Sequence, residues 1–149
     1  EAWRNLWFHS GDAGFFDEHG RLYFVDRIKD RIRRRGENIS SFEIEQVLND
    51  HPDVDESAIV GIRVAGAGGE DEIKAYIVND SGKDIDKIAL LDYCAEHIPR
   101  FAVPRFIENV ESLPKSATGK IQKETLRQAG VTSRTWDRES VGYKIARRL

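Results

Sequence analysis

Hydrophobic positions change their spacing several times along the chain, and each change marks an element. Gly14-Phe15-Phe16-Asp17, the polar break Glu18-His19-Gly20 and then Arg21-Leu22-Tyr23-Phe24-Val25 read as a short β-hairpin closed at a glycine. Over 27–35, Ile28 and Ile32 share a parity opposite to Arg27, Lys29, Arg31, Arg33 and Arg35. At the two-residue period of a strand this predicts one basic side, interrupted at Gly36. Ser40-Ser41-Phe42-Glu43 has the spacing of a capping box, with Ser40 as N-cap and Glu43 at the third helical position. The helix it opens is predicted to reach about Asn49, to bury Ile44, Val47 and Leu48, and to stop before His51-Pro52.

Two β-rich runs follow, at 54–64 and 72–79, joined by Ala65-Gly66-Ala67-Gly68-Gly69-Glu70. These glycines do not fit GxGxxG, and a strand follows them where a phosphate loop needs a helix N-terminus, so they predict a hairpin connection. A second helix over 86–97 places Ile88, Leu91, Cys94, Ala95 and Ile98 on one face. Pro99 and Pro104 bracket the passage to a strand over 105–110; a polar loop and a short helix near 122–129 come after it. The order hairpin, α, β, β, α, β, loop, α predicts an α+β fold. It is a small domain with helices packed on a three-stranded sheet, preceded by a β-hairpin. From Val131 onward apolar residues are too sparse for a core of their own.

Composition narrows the picture. The chain has 149 residues, 40% hydrophobic and 33% charged, enough for one domain with a real core or one domain plus part of another. No apolar run approaches the roughly eighteen residues that would cross a bilayer, so no integral membrane segment is expected. The amino terminus lacks the order of a secretory signal. The lone Cys94 has no zinc-ligand spacing around it and predicts packing in a reducing, cytoplasmic setting. A net charge of −3 gives no general positive field for a phosphate backbone. No aromatic residues interleave the arginines of the basic strand, as stacking on bases requires. A small nucleic-acid-binding module is therefore disfavoured, with no nucleic acid expected as a partner. The chain starts at Glu1 and contains no Met, which predicts a piece of a longer product.

Three motifs carry candidate chemistry. Trp7-Phe8-His9-Ser10-Gly11-Asp12 ends in a carboxylate that either closes a local Asx-turn or faces the paired hydroxyls of a ribose. Asp26-Arg27-Ile28-Lys29-Asp30-Arg31-Ile32, running on to Gly36-Glu37-Asn38-Ile39, is either a solvated basic edge or a pivot beside an anion-binding surface. Pro114-Lys115-Ser116-Ala117-Thr118-Gly119-Lys120-Ile121 puts a lysine in a Ser/Thr/Gly loop. Its long stem can carry a cation across a cleft, to where negative charge develops on carboxylate and phosphoryl oxygens.

In order and spacing, these motifs over roughly residues 3–127 resemble the adenylate-forming superfamily: acyl-CoA synthetases, peptide-synthetase adenylation domains and beetle luciferases. The resemblance implies that 1–27 is the terminal segment of a large amino-terminal adenylation domain, otherwise missing here, and 28–149 a mobile carboxy-terminal domain. Asp12 and Arg27 would then hold the ATP ribose, Lys29 would be the hinge, Gly36 would line the pantetheine tunnel and Lys120 would be the adenylation lysine. Ser10 stands where Thr is commoner and keeps the hydroxyl. The activity implied for the full-length enzyme uses ATP, Mg2+ and CoA to convert a small carboxylic acid to its thioester through an acyl-adenylate, with no metal ligand in this chain. The fragment alone is expected to be inactive. Pro-Lys-Ser-Ala-Thr-Gly-Lys-Ile-Gln-Lys and Gly-Glu-Asn-Ile resemble CoA ligases, while a domain loading a carrier protein is the alternative. Arg33, Arg34 and Arg35 either meet CoA phosphates or are simply solvated.

Overall fold

The computed structural model describes residues 3–4, 7–64, 68–79 and 84–145. Strands β1 (Trp3–Arg4) and β2 (Trp7–Phe8) pair antiparallel, followed by the expected hairpin of β3 (Asp12–Phe16) and β4 (Leu22–Arg27). Asp17 shapes its turn: one carboxylate oxygen accepts from the backbone N–H groups of His19 and Arg21, both at 2.9 Å. Residues 27–35 are not one strand. A 3-10 turn at Ile28–Asp30 breaks them, leaving Ile28 59% exposed, and β5 (Ile32–Arg34) then pairs with β6 (Glu37–Ile39). Parity holds again inside β5, where Arg31, Arg33 and Arg35 are exposed and Ile32 is buried. Arg34 falls on the inward parity and is buried despite its charge, its guanidinium pairing with Glu72 at 2.8 Å.

Helix α1 (Ser41–Asn49) has the expected extent and buries Ile44 and Leu48, while Val47 is half-buried. Ser40 is its N-cap residue, but its side chain makes no cap bond, so the capping box is not formed. β7 (Glu56–Arg63) and β8 (Asp71–Val78) pair antiparallel along their whole length. Of the glycine-rich connection between them, residues 65–67 lie outside the described residues. Helix α2 (Lys87–His97) carries the chain to β9 (Phe106–Val110), parallel to β8, as a parallel pair needs a crossover. Its buried stripe is Leu90, Leu91 and Cys94; Ile88 sits in the first turn and is 47% exposed. Burial pushes the Cys94 thiol up to about 12, which leaves it a packing group.

Helix α3 (Lys123–Ala129) precedes β10 (Trp136–Asp137), so the main sheet has the order β10-β9-β8-β7: the three expected strands and a short fourth from the tail. Alternation along β7 and β8 divides the core. Ile59, Ile73, Ala75 and Ile77 pack with α1 and α2, while Ala58, Val60, Ile62, Tyr76 and Val78 pack with Leu113 and Leu126 of the α3 side.

The tail has no core of its own; it docks through polar groups and through Trp136, Tyr143 and Ile145, which pack against the main core. The Asp137 carboxylate accepts from Arg105 at 3.1 and 2.9 Å. Thr132 and Thr135 both donate to Glu108 at 2.7 Å, and Glu108 pairs with the fully buried Lys74 at 2.7 Å. Burial pushes the Glu108 carboxyl up, but the hydrogen bonds from Lys74, Thr132 and Thr135 outweigh it and hold it below the usual range. Breaking such a buried pair strands the remaining charge, at a cost of about 3–5 kcal/mol. We expect Lys74→Met to lower stability by that amount in urea titrations, and Lys74→Met/Glu108→Leu to recover most of it. A single variant as stable as the parent would show that the pair holds nothing together.

Candidate functional site

Residues from three motifs converge where β4 runs out against α1 and α3. Asp12 and Arg27 are register partners across the hairpin, and the Arg27 Nε lies 3.8 Å from the Asp12 carboxylate. The Asp12 backbone N–H donates to Ser10 Oγ at 3.2 Å, so the local turn is closed by the serine and the Asp12 carboxylate faces outward, free of that task. Arg27, Lys29 and Asp30 share a cleft of about 440 Å³ with Ile121, Gln122 and Arg127. Arg127 spans it, donating to the Lys29 carbonyl and the Asp30 carboxylate, each at 3.2 Å.

Below this cleft lies a carboxylate that local pattern-reading missed. Asp26 is 4% exposed, and its Oδ2 accepts from the Ser41 N–H at 2.8 Å, Ser40 Oγ at 3.1 Å and Ser41 Oγ at 3.2 Å. A full negative charge at the positive end of α1 is a stronger acceptor than a hydroxyl, so Asp26 takes the role expected of Ser40 and turns that serine into a donor. From Ser41 the chain of contacts continues: the Lys123 amine donates to Ser41 Oγ at 2.8 Å and meets the Glu45 carboxylate at 2.8 Å. Glu45 also accepts the Ile59 N–H at 2.7 Å, satisfying a donor on the free edge of β7. Burial pushes the Glu45 carboxyl up against the pull of Lys123. Hairpin, α1, β7 and the start of α3 are thereby tied by one polar network.

Lys120 sits three residues before that tie. Its loop folds on itself: the Ser116 N–H donates to the Lys120 carbonyl at 2.8 Å, the Gly119 N–H to the Ser116 carbonyl at 2.9 Å and the Lys120 N–H to Ser116 Oγ at 3.2 Å. Gly119 has φ +78°, a conformation that glycine adopts without steric cost. Lys120 is exposed, and among the described residues no side chain pairs with its amine. The neighbouring Lys115, by contrast, pairs with Glu56 at 2.9 Å.

Gly36 lies apart from the cleft, on the β5–β6 turn. It has φ +78°, its N–H donates to Glu70 at 3.2 Å, and a Cβ placed on it would meet nothing within 4 Å. Asp12, Arg27 and Lys29 are therefore gathered, Lys120 stands on the loop entering the same cleft at Ile121, and Gly36 occupies a second face. Among the described residues no three or more His, Cys, Asp or Glu side chains gather into a group that could hold a metal ion.

A family model for the AMP-binding enzyme C-terminal domain matches residues 43–120, just over half of the chain. The chain belongs to that family. The match ends at Lys120. This AMP-binding enzyme C-terminal domain is 39% identical over 122 residues to a probable CoA ligase, CCL9, of Humulus lupulus, covering 82% of the chain and 23% of that protein. It is 38% identical over 121 residues to a crotonobetaine/carnitine–CoA ligase of Salmonella paratyphi B, covering 81% and 23%. Among solved structures it is similar to o-succinylbenzoate CoA synthetase of Bacillus subtilis in complex with an acyl-adenylate intermediate: TM-score 0.75, 33% identity, 85% of this chain and 25% of that one. The chain spans about a quarter of the length of these relatives.

Asp26 offers the sharpest check on the geometry. Loss of a helix cap costs about 0.5–2 kcal/mol, and the buried Ser40 and Ser41 hydroxyls lose their acceptor with it. We expect Asp26→Ala to lower the unfolding free energy by about 1–2 kcal/mol and to speed amide exchange at the first turn of α1. Unchanged protection there would mean that Asp26 does not cap the helix.

Proposed function

We propose that this chain is the mobile carboxy-terminal portion of an ATP-dependent acyl-CoA synthetase, with 1–27 completing a larger upstream domain and 28–149 swinging against it. The unpaired Lys120 amine, on a self-closed loop whose next residue, Ile121, lines the Arg27–Lys29 cleft, carries the reading. Support for the upstream domain comes from the hairpin, where Phe15, Phe16, Leu22 and Phe24 are each more than half exposed and Phe15 stacks on Tyr23 at 5.2 Å. Such a cluster is more apolar surface than a solvated hairpin needs, and it fits a packing face.

On this reading Asp12 and Arg27 hold the ribose of ATP, and their cross-strand pairing orients both toward it. Lys120 places its charge between the substrate carboxylate and the α-phosphate, offsetting negative charge as the acyl-adenylate forms and pyrophosphate leaves. Rotation about Lys29 then withdraws the lysine and brings up the Gly36 face, whose bare Cα leaves room for a thiol on its way to the adenylate. The hinge carbonyl is held by Arg127 through a single exposed contact, which is weak enough to open. The relatives' names favour free CoA over a carrier-bound arm as acceptor and a small carboxylic acid as substrate. Magnesium belongs with ATP in this chemistry, and its ligands on this reading are those of the upstream domain. The buried thiol of Cys94 fits the reducing conditions of the cytoplasm.

The test uses the full-length enzyme and separates the half-reactions. Lys120→Ala is expected to slow adenylate formation by about two to three powers of ten while sparing thioester formation from supplied acyl-adenylate. Gly36→Ala is expected to do the reverse, at a folding cost of about 1 kcal/mol for its left-handed backbone. Equal damage to both steps by Lys120→Ala contradicts the assignment.

A further inference from the structure

Among the described residues, the segments on either side of the 3-10 turn at Ile28–Asp30 share neither a strand ladder nor a core. β4 pairs with β3 before the turn and β5 with β6 after it, and both apolar clusters are built from Ile32 onward. Among the described residues before Ile32, Asp26 alone is buried. The half-buried Val25 beside it borders a cleft of about 250 Å³ shared with Ile39, Ser40 and Phe101, so apolar packing across the turn is open rather than close. What reaches across is a charge.

The two oxygens of the Asp26 carboxylate divide their work. Oδ1 accepts the Arg27 N–H at 2.7 Å, on the near side of the turn. Oδ2 accepts the Ser41 N–H and the Ser40 and Ser41 hydroxyls at 2.8, 3.1 and 3.2 Å, all on the far side. The Ser41 hydroxyl receives the Lys123 amine in turn, and Gln122, next to Lys123, closes the base of the Lys120 loop by donating its N–H to the Pro114 carbonyl at 2.8 Å. Asp26 thus joins Arg27, ahead of the turn, to the start of α1 and the foot of the lysine loop behind it. In this arrangement Ile121, Gln122 and Lys123 line the cleft beside Arg27 and Lys29.

We infer that Asp26 is a positioning residue: a latch across the pivot that holds the Lys120 loop beside Arg27 and has to release before the Gly36 face can take its place. A hydrogen bond is lost beyond about 3.5 Å, so a turn of the residues after Lys29 as one body parts Oδ2 from its three donors together. Once released, the carboxylate and both hydroxyls regain water, which makes the contact reversible. The net worth of hydrogen bonds to a charge is small beside their gross strength, and amounts to about tenfold in the balance between two arrangements. An apolar seam is non-directional and would resist sliding apart without favouring one arrangement so sharply. The catalytic meaning of the latch rests on the function proposed above; the contact across the turn does not.

Two measurements test it. In the 149-residue chain, 15N relaxation compares the hairpin with α1. Hairpin amides of the parent are expected to share the order of α1, with order parameters of about 0.85, and those of Asp26→Ala to fall toward about 0.6 while β7 and β8 keep theirs. Ser40→Ala leaves the carboxylate and the Ser41 N–H in place and is expected to loosen the hairpin less; should Asp26→Ala not fold, this variant carries the test. Hairpin order that matches the parent overturns the latch. In the full-length enzyme, single-turnover rates are compared for adenylate formation and for thioester formation from supplied acyl-adenylate. Each rate follows the population of its arrangement, so their ratio follows the balance between the two. Asp26→Ala is expected to lower the ratio of adenylate to thioester formation about tenfold and Ser40→Ala about threefold, with the double variant no lower than Asp26→Ala. Ser40 makes no hydrogen bond to Arg27, so its effect does not come from a displaced ribose contact. A purely structural role lowers both rates together. An unchanged ratio, with Lys120→Ala still separating the half-reactions, overturns the latch and leaves the proposed function standing. Loss of that separation overturns the function, and hairpin order in the 149-residue chain then decides the contact by itself.

Discussion

The Asp26 carboxylate is the contact on which the geometry of the site depends. It is buried at the end of the hairpin, at the positive end of α1, with three donors from Ser40 and Ser41 converging on one oxygen. A buried carboxylate is tolerated only when its lone pairs are satisfied, and here the helix terminus and two hydroxyls do so. Because Ser41 also receives the Lys123 amine, and Lys123 meets Glu45, the same network fixes α1 against α3 and the edge of β7. Each charged member has a partner, which is the condition under which a polar network inside a fold adds rigidity rather than cost.

This frame makes sense of a contrast among the lysines. Lys74, Lys87, Lys115 and Lys123 all have carboxylates within 2.9 Å, while Lys120, in the middle of the same stretch as Lys115 and Lys123, has none among the described residues, as is also true of Lys29 and Lys144. Its loop is closed by its own backbone and by Ser116, so the amine is left unclaimed on a well-defined base. A side chain that has to serve a ligand bound mostly by another body needs this combination: an anchored backbone and a free charge.

Legibility in the sequence followed the range of the interactions. The hairpin, three helices and three long strands were readable because their signals are local: turn residues, Ser at a helix start, prolines after α1 and α2, and alternation. The Lys120 loop was readable from its Ser, Thr and Gly residues, whereas the pairing of Asp12 with Arg27 across the hairpin was not. What was missed depends on distance along the chain. Asp26 caps a helix fifteen residues on, a reach that no capping pattern covers. The strand expected over 27–35 broke at a 3-10 turn whose Asp30 is held by Arg127, 97 residues away. β10 and the tail's anchorage rest on Glu108 within β9 and Arg105 just before it, charged residues whose partners arrive only when the chain returns. Ile88 was assigned to the core by periodicity, but α2 turns Leu90 inward and leaves Ile88 exposed in the first turn.

The most direct measurement is the reactivity of the Lys120 amine in the full-length enzyme, followed by amine-selective labelling and mass spectrometry under the two half-reactions. With ATP and the carboxylic acid bound, Lys120 should be shielded while Lys115 labels as in the free enzyme. Once CoA is admitted and the small domain turns, Lys120 should label freely again. Identical labelling of Lys120 in both states would contradict a cation that enters the site for one step and leaves it for the next.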